Sequence, residues 1–170
     1  MKNTTLLFAT LLLLVTTACT EDSVNDIAEE CSQGYTGYDC NEQITPSLIT
    51  ITKVVVQSFS STFSDGLSSY PDIALKVYNN SNTYGPSATY YYDAYSWSSY
   101  NFYPNFKIYN AFENTHVVLY DYDFLFGEIV DEDYMGGVQG TLYNSYNGFP
   151  SMVNFDYGSY EFDVHLSYQW

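Results

Sequence analysis

The C-terminal end of the chain alternates strictly between apolar and polar residues, and this pattern narrows the fold more than any other. In "YEFDVHLSYQW" the residues Phe162, Val164, Leu166, Tyr168 and Trp170 share one side of an extended chain, and polar residues occupy the other. Successive side chains of a β-strand point to opposite faces, so this period predicts a strand with one buried face. No stretch of the chain shows a convincing helical period.

Further short segments have the composition of β-strands and are divided by Asn, Ser, Gly and Pro turns. They are "ITITKVVVQSF", "IALKVYNN", "ATYYYDAYSW", "NFKIYN" and "HVVLYDYD". About eight short strands with regular turns are typical of an antiparallel β-sandwich. The sequence therefore predicts an all-β fold, an antiparallel eight-stranded β-sandwich over residues 45–170.

The charge balance excludes one large class of partners. The chain has 20 acidic residues and 4 basic ones, which gives a formal net charge of -16 at pH 7. The basic residues are all lysines: Lys2, Lys53, Lys76 and Lys107. Proteins bind phosphate backbones through clustered cations, so we expect no nucleic-acid partner. Direct attraction to anionic lipid is disfavoured for the same reason.

The N-terminus has the pattern of a targeting segment. "MKNTTLLFATLLLLVTTAC" combines a lysine, an apolar run too short to span a bilayer and small residues before Cys19. It resembles a bacterial lipoprotein signal, in which the residue after cleavage is a lipidated Cys, although Thr16 stands where an aliphatic residue is usual. The resemblance implies a signal peptide over residues 1–18 and a membrane anchor at Cys19. A cleaved secretory peptide with an additional Cys is the alternative.

The residues after Cys19 carry a second resemblance. Thr20, Glu21 and Asp22 are similar to the acidic tether of Bacteroidetes lipoproteins that reach the outer face of the outer membrane. This implies an acidic tether over residues 19–30 and an outer-membrane lipoprotein exposed at the cell surface.

The remaining two cysteines follow from the lipoprotein resemblance. With Cys19 lipidated, Cys31 and Cys40 are left as a pair in an oxidising compartment. They bracket "CSQGYTGYDC", which resembles the C-terminal third of an EGF-like module. The resemblance implies a Cys31–Cys40 disulfide in a partial EGF-like loop over residues 31–44. Two unpaired thiols are the alternative.

The segment "LYDYDFLFGEIVDEDYMGG", from Leu119 to Gly137, has six carboxylates and no Lys, Arg or His. Like charges this close repel and raise one another's pKa. Calcium binds six to eight oxygen ligands with flexible geometry, so such crowding favours a calcium site. Because the acids follow a strand, we expect them in a loop at one edge of the sandwich. A solvated acidic edge that binds no ion is the alternative.

Several segments together resemble the C2 domain, the calcium-binding β-sandwich of synaptotagmin-type proteins. "VVLYDYD" and "DYMGG" are similar to the flanks of its third loop, and "SDGLSSYPDIALKVYNN" is similar to its first loop. The resemblance covers most of Ile49 to Trp170 and implies calcium as the cofactor. It implies ligands at Asp65 and Asp72 in the first loop and at Asp121, Asp123 and Asp133 in the third, with Glu128, Asp131 or Glu132 as substitutes for Asp133.

No constellation typical of an enzyme is found in the sequence. No His/Cys cluster has zinc spacing, and six acids on one segment favour a cation site over an acid–base pair. We therefore expect a non-enzymatic, surface-anchored lipoprotein in which calcium orders the acidic loops and bridges an anionic lipid, glycan or protein ligand. The alternative is a carbohydrate-binding module that uses "TYYYDAYSWSSYNFY", with Trp97 or Tyr100 as sugar contacts.

Overall fold

The computed structural model describes residues 30–63, 70–146 and 148–170, and every regular element within them is a β-strand. The strands are β1 (Tyr35–Thr36), β2 (Glu42–Gln43), β3 (Leu48–Ser58), β4 (Ile73–Tyr78), β5 (Thr83–Tyr84), β6 (Tyr100–Phe102), β7 (Phe106–Ile108), β8 (Asn114–Leu125), β9 (Glu128–Thr141), β10 (Met152–Tyr157) and β11 (Tyr160–Gln169). The predicted signal peptide, Cys19, most of the acidic tether and Asp65 lie outside the described residues. Nowhere in the described ranges is there a helix long and apolar enough to cross a membrane.

Two antiparallel sheets make up the body of the molecule. One has the order β10-β11-β3-β6, with β7 also paired to β3, and the other has the order β5-β4-β8-β9. Both β6 and β7 pair with β3, and Tyr103, Pro104 and Asn105 separate them. Proline cannot donate to a ladder and Asn105 has a φ of 51°, which interrupts what is otherwise one strand. If β6 and β7 are counted as one interrupted strand, each of the two sheets has four strands. The predicted all-β antiparallel eight-stranded sandwich is therefore confirmed.

The alternating C-terminal segment forms β11, between β10 and β3. Phe162 and Val164 are fully buried and Leu166 is nearly so, as the period of two predicts. On β3 the buried residues change parity, from Ile49 and Ile51 to Val54 and Val56. A register shift between His165 and Leu166 of β11 accommodates this change. A β-bulge inserts one residue into a strand and so moves the following side chains to the other face.

The sheet that contains β4, β8 and β9 has one face in the core and one face outward. Ile73, Leu75 and Val77 of β4 are fully buried, and Val117 and Leu119 of β8 lie opposite Val77 and Leu75. The intervening residues form what we call the outer face: Lys76, Tyr78, His116, Val118, Tyr120, Tyr134, Gly137 and Gln139. Burial of the side chains on the core face supplies the hydrophobic stabilisation, at about 25 cal/mol per Å² of apolar surface.

The tyrosine-rich segment departs from its prediction. Residues 85–99 contain turns and one isolated bridge, between Ile73 and Tyr91, and no strand. The prediction of a strand over "ATYYYDAYSW" is therefore wrong. Asp93 has a φ of 50°, which is incompatible with an extended chain, and the turns that surround it break the period.

The disulfide loop packs against the sandwich. Cys31 and Cys40 form the predicted disulfide, with a Cα–Cα distance of 5.2 Å. The Tyr35 ring meets the Phe149 ring edge-on at 5.4 Å between centroids. The Gln43 amide donates to the carbonyl of Gly148 and accepts a hydrogen bond from the backbone N–H of Gly148. Residues 31–170 consequently form one compact unit.

Candidate functional site

The acidic segment forms a β-hairpin. Strand β8 ends at Leu125, β9 begins at Glu128, and Phe126 and Gly127 form the connection with φ values of 54° and 85°. Two central residues with positive φ are the mark of a type I′ turn, whose twist matches that of paired strands. The expectation that the carboxylates lie in a long loop is therefore wrong, because this two-residue turn lets the strands pair immediately beyond it.

The register of the hairpin sets four aspartates in two opposed pairs. Asp121 lies opposite Asp133, and Asp123 lies opposite Asp131. Directly opposite residues of an antiparallel pair share a face, with Cβ atoms about 4.5–5.5 Å apart. Residues two apart on one strand also share a face, so both pairs lie on the same side of the hairpin. Like charges in this arrangement destabilise a sheet, and a bound cation would remove that cost.

Asp72 and Asp121, which the sequence assigns to two separate loops, lie side by side. The backbone N–H of Asp72 donates to Asp121 Oδ1 at 2.7 Å, and the N–H of Tyr122 donates to the Asp72 carbonyl at 3.0 Å. Asp121 is buried, with 8% of its surface exposed. The structure thus brings together one predicted ligand from each loop. Asp65, the other first-loop candidate, lies outside the described residues.

A further aspartate, Asp93, reaches this region from the tyrosine-rich segment. Its backbone N–H donates to Asp72 Oδ1 at 2.8 Å. Sequence reasoning did not single out Asp93, since its only local signal is an Asp that tolerates positive φ, which many turns share. The contact with Asp72 depends on how residues 85–99 fold back onto the N-terminal end of β4, which Asp72 directly precedes.

Glu132 points away from the aspartate pairs and is neutralised by Lys76. Lys76 Nζ lies 2.8 Å from Glu132 Oε2 and 3.9 Å from the centroid of the Tyr120 ring, on the outer face. The hydrogen bond from Lys76 holds the pKa of Glu132 below its ordinary value. Burial, partly offset by Lys76, raises the pKa of the neighbouring Tyr122 to about 12. Of the possible substitutes for Asp133, Asp131 therefore shares its face and Glu132 does not. Glu128 pairs with the residue two after Asp123, so it lies on the face of the aspartate pairs as well.

The described residues offer the type of donor atom that calcium prefers, but too few of these donors are grouped to complete its coordination. Carboxylate oxygens are the ligands that calcium prefers. Within residues 30–63, 70–146 and 148–170, however, no three His, Cys, Asp or Glu side chains are grouped so that they would hold a metal ion. An ion at one aspartate pair would need water molecules, backbone carbonyls or further carboxylates to complete its coordination.

The tyrosine-rich segment that contains Asp93 carries exposed aromatic side chains, and one of them pairs with Tyr70. The Trp97 side chain is 86% exposed, and Tyr70 and Tyr95 form a tilted pair with centroids 4.2 Å apart. Tyr100 is different: it is buried, and its hydroxyl accepts from the N–H of Tyr95 and donates to the Tyr95 carbonyl. The prediction of Tyr100 as a sugar contact is therefore wrong, because its polar end is already bound to the backbone.

Comparison with known proteins gives no family assignment. No family model and no curated protein matches the chain. Among solved structures, the SMP domain and tandem C2 domains of Extended-Synaptotagmin 2 show a likeness with a TM-score of 0.38 and 12% sequence identity. The match covers 72% of this chain and 26% of that one, so this chain spans about a quarter of its length. The assignment as an antiparallel β-sandwich rests on the two sheets described above.

Proposed function

We propose that this protein is a non-enzymatic lipoprotein of the cell surface whose C2-like sandwich binds calcium on the β8–β9 hairpin. The observation that supports the proposal best is the pair of successive cross-strand contacts, Asp121 with Asp133 and Asp123 with Asp131. A divalent cation between opposed carboxylates replaces a repulsion by two attractions and fastens the two strands together.

Ion binding would extend its effect beyond the hairpin through Asp72. Asp121 is bonded to the backbone of Asp72, and Asp72 is bonded to the backbone of Asp93. Calcium at Asp121 would therefore order the start of β4 and the tyrosine-rich segment as well. Few carboxylates and partly exposed positions correspond to millimolar affinity, which suffices for an extracellular module. Coordination positions left open on the ion would accept an anionic lipid headgroup, an acidic glycan or a partner protein.

The anchoring part of the proposal depends on the N-terminal sequence. The signal-like run before Cys19 supports lipidation, and the Cys31–Cys40 disulfide agrees with an oxidising compartment. Metabolic labelling with a radioactive fatty acid tests this point directly. We expect incorporation into the wild-type chain and none into Cys19→Ser; label retained in that variant would contradict lipidation at this residue.

Thermal denaturation with calcium and with chelator tests the ion site. At a calcium concentration ten times Kd, one site stabilises the folded state by about 1.4 kcal/mol. The double variant Asp123→Asn/Asp131→Asn should lose most of this gain, whereas Asp39→Asn, at an exposed position of the disulfide loop, should keep it. An unchanged wild-type midpoint across a calcium titration that reaches ten times this millimolar Kd would reject the proposal.

Carbohydrate binding at the same end of the sandwich is the second candidate. The exposed Trp97 indole and the Tyr70–Tyr95 pair favour it, because aromatic faces stack on sugar rings while their polar tips stay hydrated. A glycan array on the calcium-loaded protein tests it. Trp97→Ala should abolish any binding at this surface, and Tyr146→Ala, which removes an equally exposed ring elsewhere, should not.

A further inference from the structure

A groove of about 640 Å³ runs along the outer face beside β10, and nothing in the proposed function uses it. Its size lies within the range of small-molecule sites. Residues from β8 and β9 form one side, and residues from β10 form the other. The lining includes His116, Tyr134, Gly137, Gln139, Asp156 and Tyr157. We infer that this groove binds a neutral saccharide.

Two glycines of β9 shape the groove. A Cβ on Gly137 would collide with the backbone of β8, so β9 passes β8 closely here and leaves the floor of the groove without a side chain. At Gly140 a Cβ would lie 3.0 Å from Cε1 of Phe155, which shows that the Phe155 ring rests on bare backbone. This contact holds β10 against β9 and fixes the width of the groove.

Two of the rings that line the groove, those of His116 and Tyr134, are held in place by their neighbours. The imidazole of His116 stacks on Tyr78 with centroids 4.6 Å apart and planes within 7°. Tyr134 meets the edge of Tyr120 at 5.6 Å. Supported side chains lose little conformational entropy when a ligand binds, which favours affinity.

The exposed faces of the lining suit a sugar ring. The Tyr134 side chain is 58% exposed and the Tyr157 side chain is 75% exposed, so both offer aromatic surface to a ligand. An aromatic face packs against the C–H face of a pyranose, and the phenol oxygen stays free to bond a hydroxyl group. Two such rings on opposite sides of a groove would hold a ring-shaped polar ligand between them.

The polar groups of the lining determine which ligand charge the groove favours. Gln139 offers donors and an acceptor, His116 offers ring nitrogens, and Asp156 offers carboxylate acceptors. Sugar hydroxyls both donate and accept, so they match this mixed set. Among the described residues that line the groove there is no Lys or Arg, and Asp156 repels anions. This favours a neutral saccharide over an acidic one.

Saccharide binding in the groove should also be independent of calcium. The groove lies on the outer face, whereas Asp121 continues the face of β8 that carries the buried Val117 and Leu119. The two surfaces share no ligand-binding side chain. Binding in the groove can therefore succeed or fail separately from calcium binding on the hairpin.

The test uses the full chain on an array of neutral and acidic oligosaccharides, in calcium and in EDTA, followed by calorimetry with the strongest neutral oligosaccharide. We expect binding in both buffers and a loss of about tenfold or more in affinity for Tyr157→Ala and for Gln139→Ala. Tyr146→Ala, which removes an exposed ring outside the groove, should bind as the wild type does. Thermal melting of each variant shows that it is folded, and two separate groove variants guard against a fold defect in one.

Three results would overturn the inference. They are an array on which no neutral oligosaccharide binds, binding that EDTA abolishes, and binding that Trp97→Ala removes while Tyr157→Ala and Gln139→Ala leave it intact. The last result would place the sugar at the tyrosine-rich segment instead.

Discussion

The opposed aspartates of the hairpin predict that the removal of a charge will stabilise this protein when calcium is absent. Asp131→Asn is the most suitable change. Asp131 is exposed, lies opposite Asp123, and accepts a hydrogen bond on Oδ1 from the N–H of Glu132 at 2.9 Å. The Asn side chain has the same shape and keeps an oxygen for that bond, so the substitution removes the charge and little else.

The magnitude follows from the register. Opposed Cβ atoms lie about 5 Å apart in an antiparallel pair. At that distance two unit charges in water repel by about 0.8 kcal/mol. Asp131→Asn should therefore raise the free energy of unfolding by about 0.5–1 kcal/mol at low salt, in the upper part of the range of about 0.2–1 kcal/mol found for cross-strand pairs. For a unit of this size the melting temperature should rise by about 2–3 °C.

Thermal denaturation in chelator, with the double-mutant cycle of Asp131→Asn and Asp123→Asn, measures this effect. The cycle isolates the term that the two residues share from their other contacts. Asp39→Asn is the matched control, because it makes the same chemical change at an exposed aspartate of the disulfide loop. The coupling should shrink at 1 M salt, where the Debye length is about 3 Å.

The reasoning would be refuted if Asp131→Asn were no more stable than Asp39→Asn in chelator, or if the cycle gave no coupling at low salt. Calcium adds a second criterion, since the wild type should gain stability from it and Asp131→Asn should gain much less. An equal gain in both proteins would place the ion elsewhere.

Three other predictions concern the rest of the fold. Lys76 lowers the pKa of Glu132, so the ion pair stabilises the folded state above the ordinary glutamate pKa and ceases to do so as the pH falls through the lowered value. Glu132→Gln should therefore be less stable than the wild type in urea at pH 7, and a difference that persists at pH 2 would contradict this. Replacement of Cys31 and Cys40 by Ser should destabilise the disulfide loop by about 3 kcal/mol, because the bridge lowers the conformational entropy of the unfolded chain. The loss should appear as faster hydrogen exchange in β1 and β2, and unchanged exchange would show that packing alone holds the loop. Phe162→Ala should lower the free energy of unfolding in denaturant by about 3–5 kcal/mol, since the ring is fully buried between the sheets. A loss no larger than that of a surface substitution would contradict this placement.

The pattern of local alternation was enough to predict the central strand β11 and the class of fold. Phe162, Val164 and Leu166 are buried as their spacing requires. The same logic failed for the tyrosine-rich segment, where apolar bulk suggested a strand. Tyrosine suits half-buried strands and exposed turns alike, and the positive φ of Asp93 cannot be seen in composition.

The hairpin shows the same limit in reverse. Its acids suggested a loop, yet Phe126 and Gly127 form a turn of two residues and the charged residues continue as paired strands. Charge crowding is a property of the sequence, and the sequence predicted it correctly. Which acids face one another is a matter of register. The register depends on the turn and on the bulge at Val130, which separates the Phe124–Ile129 pair from the Asp123–Asp131 pair.

By itself the sequence determined the all-β architecture, the excess of negative charge and the closure of the Cys31–Cys40 loop. The tertiary structure alone decided that Asp72 bonds to Asp121, that Lys76 neutralises Glu132, and that a groove opens beside β10. The physical reason is that the alternation of apolar and polar residues and the density of charge depend only on residues close together in the sequence. Contacts across 49 or 56 residues exist only once the packed core has fixed the strand order and register.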